Sequence, residues 1–168
     1  MLAIASAVFR KVRRRGGDPL EFPQRRLLEP LGMRSSTLET DPYGQYIASG
    51  ATYTTARDLA RLGLLHLNRG RFAGERIVSR RWVRFVRTPA PTASGYGGLW
   101  WLNGERQHFE GVPESAYFAS GAFGQIALVV PSHNLVISRL GFTFPDDPAI
   151  GDFAPAVIDA VERGAGGS

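Results

Sequence analysis

The sequence predicts an α+β fold in which one antiparallel sheet is flanked by helices. Apolar residues recur at helical spacing in residues 1–90, most clearly over residues 56–67. The second half consists of short runs rich in β-branched and aromatic residues, and an apolar helix pattern closes the chain. At 168 residues, 43% of them hydrophobic, the chain is long enough to bury a core. A chain of this length forms one domain, or one piece of a larger domain, over residues 1–168.

Two helices and a long loop are predicted before residue 55. The first helix covers Leu2 to Arg15 and ends at Gly16-Gly17, because glycine tolerates the left-handed conformation that caps a helix. A second, short helix covers Glu21 to Leu28 and stops at Pro30. Residues 31–54 contain glycine, proline, serine, threonine and tyrosine without a period, which predicts a long surface loop.

The clearest helix of the chain begins after Thr55. Thr55 can cap it, Asp58 completes a capping-box-like pair, and Gly70 closes its far end. Its broad apolar face consists of Ala56, Leu59, Ala60, Leu62, Leu64, Leu65 and Leu67. A following amphipathic helix has arginines on its outer face and apolar residues on its inner face. The outer residues are Arg80, Arg81, Arg84 and Arg87, and the inner ones are Trp82, Phe85 and Val86.

Five short runs rich in β-forming residues predict an antiparallel sheet over residues 95–142. They are Gly98 to Leu102, Arg106 to Phe109, Tyr117 to Ser120, Gln125 to Val130 and Leu135 to Gly141. The run from Ile126 to Val130 is continuously apolar, as expected of a central strand that is covered on both faces. Residues 131–134 supply turn residues before the last strand. The closing helix, over residues 147–163, has an apolar side formed by Phe153, Val157 and Val161.

The net charge of +5 comes from one basic arm and not from a basic surface. Residues 10–15 hold five of the 20 cations, and the remaining 15 cations equal the 15 acids in number. Nucleic-acid binders spread cations over a face and add aromatic residues that stack on bases. The arm is more typical of a solvated helix end, where cations suit the negative end of the helix dipole. No nucleic-acid partner is therefore predicted.

Neither a membrane span nor a targeting signal is predicted. The apolar run from Leu2 to Phe9 is about half as long as a membrane-spanning helix. Arginines follow this run, whereas the charges of a secretory signal precede its apolar region. A cytoplasmic location is the default expectation. The absence of cysteine excludes a disulfide scaffold, an iron–sulfur cluster and a thiol nucleophile in this chain.

Motifs for activated serine chemistry do not occur in this chain. Its one lysine, Lys11, has Val8 and not a serine three positions before it, so Ser-x-x-Lys is absent. Gly-x-Ser-x-Gly and Tyr-x-Asn are absent as well. Ser132-His133-Asn134 matches Ser-x-Asn but lies in a predicted turn. A Ser–His–Asp triad stays open, because its members need not be neighbours in sequence.

The histidines and glycines give no pattern for a metal or a cofactor. His66, His108 and His133 lie far apart in sequence, and none belongs to a His-x-x-x-His pair. His66 lies on the apolar side of its helix and is predicted to be a hydrogen-bonded core residue. Gly95-x-Gly97 is followed by Trp100 where a dinucleotide loop needs a third glycine. We therefore predict no metal and no cofactor.

Several stretches, which together cover nearly the whole chain, resemble one known family. They are Pro30-Leu31-Gly32-Met33, the run from Ser49 to Leu62, the run from Tyr96 to Trp101, the run from Phe118 to Gln125, and Val129-Val130-Pro131 with the run from Leu135 to Gly141. In this order they are similar to the C-terminal segments of the serine β-lactamase-related hydrolases. That family includes class C β-lactamases, low-molecular-weight penicillin-binding proteins, related esterases and nylon-oligomer hydrolases.

The resemblance implies the C-terminal portion of a β-lactamase/transpeptidase-like fold and a serine hydrolase that acts on acyl esters or amides. In full members of the family Ser-x-x-Lys and Tyr-x-Asn precede the Pro-Leu-Gly-Met stretch, so this chain alone is expected to be inactive. A small-molecule acyl substrate is expected if an N-terminal half completes the site. Self-association through exposed apolar surface is a further expectation. The alternative is a non-catalytic remnant or interaction module that needs a partner.

The resemblance also implies three site residues. The family's Lys-Thr-Gly strand corresponds to Ala119-Ser120-Gly121, and Ala119 in place of the lysine favours esterase- or amide-hydrolase-like relatives over β-lactamases. Ser120 keeps a hydroxyl and Gly121 leaves room for substrate, so both are predicted to bind it. Ala122 is predicted to supply a backbone N–H as half of the oxyanion hole. The simpler interpretation of residues 120–124, a glycine-rich bulge in a sheet, stays open.

Overall fold

The computed structural model describes residues 2–47, 50, 52–144 and 149–165. The chain separates into two compact units, Met1–Arg61 and Leu62–Ser168. Helices combine with antiparallel strands, which confirms the predicted α+β class. That residues 1–168 form one partial domain stays a prediction. Within the described ranges, no helix is both long enough and apolar enough to cross a membrane.

Helix α1 (Leu2–Arg14) confirms the first predicted helix. Gly16 has φ +76°, the left-handed conformation that the two glycines were expected to provide. The N–H of Gly17 donates to the Val12 carbonyl at 3.1 Å, so the last turn of the helix is capped from beyond its end.

The second helical segment runs past Pro30, so the prediction that it stops there was wrong. Helix α2 (Glu21–Pro23), a π-helical turn (Gln24–Leu28) and helix α3 (Glu29–Leu31) follow one another without a break. A proline ring in an α-helix clashes with the carbonyl four residues earlier. The wider π turn relieves this clash, because the N–H of Glu29 donates to the carbonyl of Gln24, five residues back.

The predicted loop over residues 31–54 contains two short paired strands, which corrects that prediction. Strand β1 (Thr37–Leu38) pairs antiparallel with strand β2 (Thr52–Tyr53). Residues 48, 49 and 51 of the predicted loop lie outside the described residues. The buried carboxylate of Asp58 accepts from the Ser35 N–H at 3.0 Å and the Ser36 hydroxyl at 3.1 Å. This side chain therefore holds the start of the segment in place.

Helix α4 (Ala56–Leu67) has the predicted caps at both ends. The Thr55 hydroxyl accepts from the Asp58 N–H at 3.1 Å, and the Gly70 N–H donates to the Leu65 carbonyl at 2.8 Å. A tight hairpin follows, formed by strands β3 (Arg71–Phe72) and β4 (Glu75–Arg76), which the sequence pattern did not predict.

Helix α5 (Arg80–Val86) buries Val86, as its apolar pattern predicted, but leaves the other two residues of that pattern exposed. Val83 and Val86 are buried, whereas Trp82 is 44% exposed and Phe85 is 56% exposed. The two aromatic rings contact each other, with centroids 5.5 Å apart. Trp82 and Phe85 therefore lie on the arginine-bearing outer face, because the two valines occupy the narrow inner stripe.

A four-stranded antiparallel sheet forms the centre of the second unit. Its order is β5 (Trp101–Leu102), β6 (Tyr117–Gly121), β7 (Gln125–Val130) and β8 (Leu135–Arg139). Residues 126–130 of β7 are all buried, as their continuous apolar run predicted. One face of the sheet packs through Phe118 and Leu128, and the other through Tyr117 and Val129.

The predicted strand from Arg106 to Phe109 does not form, and this segment is a loop with a 3-10 turn at Gly104–Arg106. The cause is Asn103, which is fully buried. Its side-chain amide donates to the carbonyls of Phe109 and Val112 at 2.9 and 3.0 Å. Its side-chain oxygen accepts from the Phe109 N–H at 2.9 Å. The loop backbone thus bonds to one side chain in place of a neighbouring strand.

The closing helix α6 (Ala149–Ala165) confirms the predicted element, and Val157 of its predicted apolar side packs against the core. Ala154 and Ile158 are buried, whereas Phe153 is 37% exposed and Val161 is 42% exposed. Residues 147 and 148, where the helix was predicted to begin, lie outside the described residues. The i, i+4 spacing indicated the larger residues Phe153 and Val161, whereas the small Ala154 is the residue that packs in the core.

We expect the 168-residue chain to bind the dye ANS and to self-associate. Several large apolar side chains are exposed, among them Ile4 at 58% and Val8 at 40% on α1. Exposed apolar patches of this kind mark interfaces or aggregation liabilities. Dye fluorescence, light scattering and a thermal melt test the expectation. A sharp two-state melt of a monomer that binds no dye would contradict it.

Candidate functional site

The three predicted site residues lie where β6 ends and turns into β7. Ser120 and Gly121 are the last residues of β6, and Ala122 begins a short turn over residues 122–124. The β6–β7 ladder ends at the pair Gly121–Gln125, so the Ala122 N–H lies outside the ladder. Ser120, Gly121 and Ala122 are all exposed.

Strand β5 covers only the first part of the outer edge of β6. It pairs Trp101 with Phe118 and Leu102 with Tyr117. Among the described residues, no strand pairs with that edge of β6 beyond Phe118. An uncovered strand edge offers backbone donors and acceptors to an extended ligand. The uncovered edge over residues 119–121 therefore lies immediately before Ala122 in the chain.

Gly121 lies in a close approach between the two strand ends, which the sequence did not reveal. A Cβ atom on Gly121 would lie 3.2 Å from the Cβ and 3.5 Å from the Cγ of Gln125, its cross-strand neighbour. Gln125 has little freedom to move, because its side-chain oxygen accepts from the Gly141 N–H at 3.0 Å and its amide donates to the Gly141 carbonyl. Glycine thus lets the strand ends approach, and the role of Gly121 in binding substrate stays a prediction.

The backbone of the turn is left-handed at two successive residues. Phe123 has φ +59° and Gly124 has φ +80°. Glycine adopts this conformation freely, whereas for a residue with a Cβ atom it raises the conformational energy by about 1–2 kcal/mol. Residues kept in such conformations are concentrated at functional sites.

Arg139 and Thr143 hold the turn from the next segment of the chain. The Arg139 guanidinium donates to the Gly124 carbonyl at 2.8 Å and also to the Thr143 hydroxyl. The Thr143 N–H donates to the Phe123 carbonyl at 3.0 Å. None of these bonds uses the Ala122 N–H. The turn is therefore fixed by groups other than the predicted oxyanion donor, which is the arrangement that a preorganised donor needs.

Sequence reasoning missed three exposed phenylalanines beside this turn, which we call the phenylalanine patch: Phe123, Phe142 and Phe144. The rings of Phe123 and Phe142 are stacked with centroids 4.3 Å apart, and Phe144 lies 5.6 Å from Phe142. The residues from 142 to 144 follow the last strand, and no periodic pattern in the sequence connects them with residue 123. The only available signal was two phenylalanines in an otherwise polar segment.

A buried aromatic cluster lies at the other end of β6. His66 is buried, and its ring lies 4.2 Å from Trp100 and 6.4 Å from Tyr117. The Nδ1 atom of His66 and the hydroxyl of Tyr117 have no hydrogen-bond partner in the described structure, so His66 is a core residue but not the hydrogen-bonded one expected. Burial lowers the pKa of His66 to about 4. Burial also raises the pKa of Tyr117 to about 12, against the opposing effect of Arg87.

We expect the free energy of unfolding to fall as the pH decreases from 6.5 to 4 because of His66. The unfolded chain takes up a proton near the ordinary pKa of 6.5, whereas the folded chain resists it until about pH 4. Above pH 6.5 His66 is neutral in both the folded and the unfolded chain, so it does not lower the free energy of unfolding. By pH 4 it has lowered that free energy by about 3 kcal/mol. Urea unfolding followed by tryptophan fluorescence measures this loss. His66→Phe should flatten the profile, and identical profiles for both proteins would contradict the expectation.

The Ser132-His133-Asn134 match forms a turn, as predicted. A 3-10 turn over Pro131–His133 ends at Asn134, which has φ +49°. The Ser132 hydroxyl bonds to His133 Nδ1 at 2.9 Å, and His133 Nε2 bonds to Glu162 of α6 at 2.8 Å. This chain of bonds links the turn to the closing helix. It lies at the opposite end of β7 from Ala122, so it cannot act on a carbonyl held there.

Metal ligation finds no support in the described part of the chain. No group of three or more histidine, aspartate or glutamate side chains there is arranged to hold an ion. His108 contacts the ring of Trp101, with centroids 5.2 Å apart. His133 pairs with Glu162 as described above.

Comparison with known proteins agrees with this architecture. Residues 2–155 match the family model described as Beta-lactamase. The chain is 32% identical over 127 residues to 6-aminohexanoate-dimer hydrolase of Paenarthrobacter ureafaciens. That alignment covers 67% of this chain and 30% of the relative, so the chain spans less than a third of the relative's length.

Solved structures show the same fold over most of the chain. A protein from Bacillus anthracis named after 6-aminohexanoate-dimer hydrolase superposes with a TM-score of 0.71 at 25% identity, over 88% of this chain and 39% of that one. A beta-lactamase from Mycobacterium bovis superposes with a TM-score of 0.68 at 21% identity, over 94% of this chain and 59% of that one. With a family model that matches nearly the whole chain and with these structural neighbours, the chain belongs to the beta-lactamase family.

Proposed function

We propose that this chain is the C-terminal part of a β-lactamase-related serine hydrolase that cleaves acyl esters or amides. Its contribution is the strand edge that borders the substrate and one donor of the oxyanion hole. The observation that supports this best is the turn at Ala122. The turn follows an uncovered strand edge, and the N–H of Ala122 lies outside the ladder. The Arg139 guanidinium donates to the Gly124 carbonyl and so holds the turn in place.

The proposed reaction needs a nucleophile that this chain does not contain. A serine of a Ser-x-x-Lys motif would add to the carbonyl carbon of the substrate, and a lysine–tyrosine pair would take its proton. Negative charge then develops on the carbonyl oxygen, where the Ala122 N–H and the N–H of the serine donate. Collapse breaks the bond to the leaving group, which takes up the proton. Water then hydrolyses the acyl-serine and restores the enzyme.

The substrate class follows from residue 119 and from the named relative. Ala119 stands where the family has the lysine that is associated with β-lactam or peptide carboxylates. The curated relative is named for a 6-aminohexanoate dimer, a linear amide. We therefore propose linear amides or esters, and not β-lactams, as substrates of the complete protein, with Ser120 and Gly121 along the bound chain.

The coding DNA upstream of Met1 provides the test. We expect an in-frame Ser-x-x-Lys followed by Tyr-x-Asn. The longer protein should hydrolyse p-nitrophenyl butyrate or the 6-aminohexanoate dimer faster than nitrocefin, and replacement of the motif serine by alanine should abolish this. An upstream frame without these motifs would contradict the proposal and favour the non-catalytic interaction module.

The 168-residue chain by itself should hydrolyse neither nitrocefin nor p-nitrophenyl butyrate above background. Its groups would stabilise charge in a transition state that needs a lysine-activated serine to form. Assays of the purified chain measure this, and heat-inactivated protein serves as the control. Turnover that survives purification and disappears in Ser120→Ala would contradict the expectation and identify Ser120 as a nucleophile.

A further inference from the structure

The phenylalanine patch presents three aromatic rings to solvent next to the predicted oxyanion donor. Phe123 directly follows Ala122 in sequence, and it is 44% exposed. Phe142 is 72% exposed and Phe144 is 65% exposed. The rings contact one another, with Phe144 oriented at 86° to Phe142 and 6.4 Å from Phe123. Aromatic side chains normally bury most of their surface, so this exposure needs a compensating role.

The backbone of Phe123 indicates that the ring position is not a by-product of packing. Its φ of +59° is a strained conformation for a bulky side chain, and asparagine or glycine would adopt it at lower cost. The exposed ring recovers little of that cost through burial. The structure thus keeps an aromatic ring at a position where local energetics disfavour one.

The patch is also held in place. The Thr143 N–H donates to the Phe123 carbonyl at 3.0 Å, so the backbone between Phe142 and Phe144 is bonded to the turn. The Arg139 guanidinium donates to the Gly124 carbonyl and to the Thr143 hydroxyl, so it ties the turn to the residue between Phe142 and Phe144. A fixed apolar surface binds an apolar ligand at a smaller entropic cost than a mobile one.

We propose that the phenylalanine patch binds the apolar part of the acyl substrate and so selects substrates with an aliphatic chain or a phenyl group close to the scissile carbonyl. This inference rests on the proposed function, because the carbonyl oxygen would be held at the Ala122 N–H, one residue from Phe123. Because Phe123 is the next residue in the chain, a carbonyl held at the Ala122 N–H would lie beside the turn that carries the patch. Short or charged substituents would gain nothing from the patch.

Binding to the chain in its present form is the first test. A neutral amide with a long chain, N-octylacetamide, should shift the backbone amide NMR signals of Phe123, Gly124 and Thr143, whereas N-methylacetamide should not. Phe142→Ser combined with Phe144→Ser should abolish these shifts. The control is Phe85→Ser, which removes a ring that is 56% exposed on helix α5 and should leave the shifts unchanged. Shifts that persist in the double variant would overturn the inference.

Turnover by the longer protein is the second test. Rates with p-nitrophenyl esters from acetate to octanoate should rise by about two- to fourfold per methylene until the patch is covered, as expected for burial of apolar surface. A parallel series with acetyl esters of alkyl alcohols shows whether the acyl chain or the leaving group contacts the patch. The double variant should flatten the steeper of the two series, while Phe85→Ser should not.

The outcomes separate this inference from the proposed function. A longer protein that hydrolyses esters at rates independent of chain length, in both series, would overturn the inference and leave the proposed function standing. Octyl-amide binding to the patch together with an inactive longer protein would support the patch as an apolar binding site but contradict the proposed function. If the longer protein shows Phe142 and Phe144 covered by its own preceding segment, the inference is wrong.

Discussion

Ala122→Pro should reduce turnover about a hundredfold or more in a protein that contains the complete active site, because it removes one of two oxyanion donors. The substitution suits the local backbone. Gly121, which precedes it, has ψ 172°, the extended conformation that a residue before proline prefers. Ala122 is also the first residue of a 3-10 turn, a position that tolerates proline. The expected loss is therefore a loss of a donor and not of the fold. Turnover of p-nitrophenyl butyrate by the longer protein, or by a fusion to the N-terminal part of a relative, measures it.

Two further substitutions act as controls for the missing donor. Ala122→Gly keeps the N–H and should have a mild effect. Ser120→Ala should also cost less than the proline, since a hydroxyl at this position would only orient the substrate. Circular dichroism of each variant shows whether the sheet is intact. A well-folded Ala122→Pro protein with near-normal turnover would mean that this strand does not border the active site.

Asn103→Leu should lower the free energy of unfolding by about 4 kcal/mol, because several buried backbone groups lose their partner at once. The Asn103 side chain bonds to the carbonyls of Phe109 and Val112 and to the N–H groups of His108 and Phe109. Leucine has a similar size but offers no polar atom. Each buried group left unpaired costs about 1–3 kcal/mol. The loss should also loosen the packing of Phe109 and Val112 beneath the sheet.

Urea unfolding of the chain, followed by tryptophan fluorescence, measures this change. Asn103→Asp keeps the acceptor but turns a buried carboxylate oxygen toward the carbonyls of Phe109 and Val112, so at neutral pH it should cost at least as much as Asn103→Leu. Asn68→Leu is the matched control, because Asn68 is exposed and its replacement should change stability by less than about 0.5 kcal/mol. A loss of less than about 1 kcal/mol in Asn103→Leu would show that water replaces the side chain, and that the loop does not depend on it.

Sequence patterns predicted the elements that depend on local interactions. Helix α4 has the caps at Thr55 and Gly70 that its sequence indicated, since both caps bond to groups only a few residues away. Strand β7 has its predicted bounds because a continuous apolar run suits a strand that is buried on both faces. The ordered motifs also indicated the family and the C-terminal portion of its fold, which the family model and the structural neighbours confirm.

Errors arose where a single side chain bonds to the backbone of a preceding or following segment. The segment from Arg106 to Phe109 has the composition of a strand. The N–H and the carbonyl of Phe109 nevertheless bond to the Asn103 side chain and not to a neighbouring strand. Strand propensity does not predict such side-chain bonds. Asp58 acts in the same way on residues 35 and 36. On helices α5 and α6 the apolar patterns were right for Val86 and Val157, which pack in or against the core. The other members of the two patterns are partly exposed, because the spacing of apolar residues does not report how much space lies beneath a helix.

For the candidate site, the sequence by itself indicated Ser120, Gly121 and Ala122 through the family resemblance, and their roles in binding substrate and in the oxyanion hole stay predictions. Only the tertiary structure decided how the turn is held and what lies beside it. Arg139 at the end of β8 and Thr143 beyond that strand reach the turn from another segment, and Phe142 stacks on Phe123. These contacts join residues far apart in the chain, and they form only after the sheet has brought the two segments together, so no local pattern carries them.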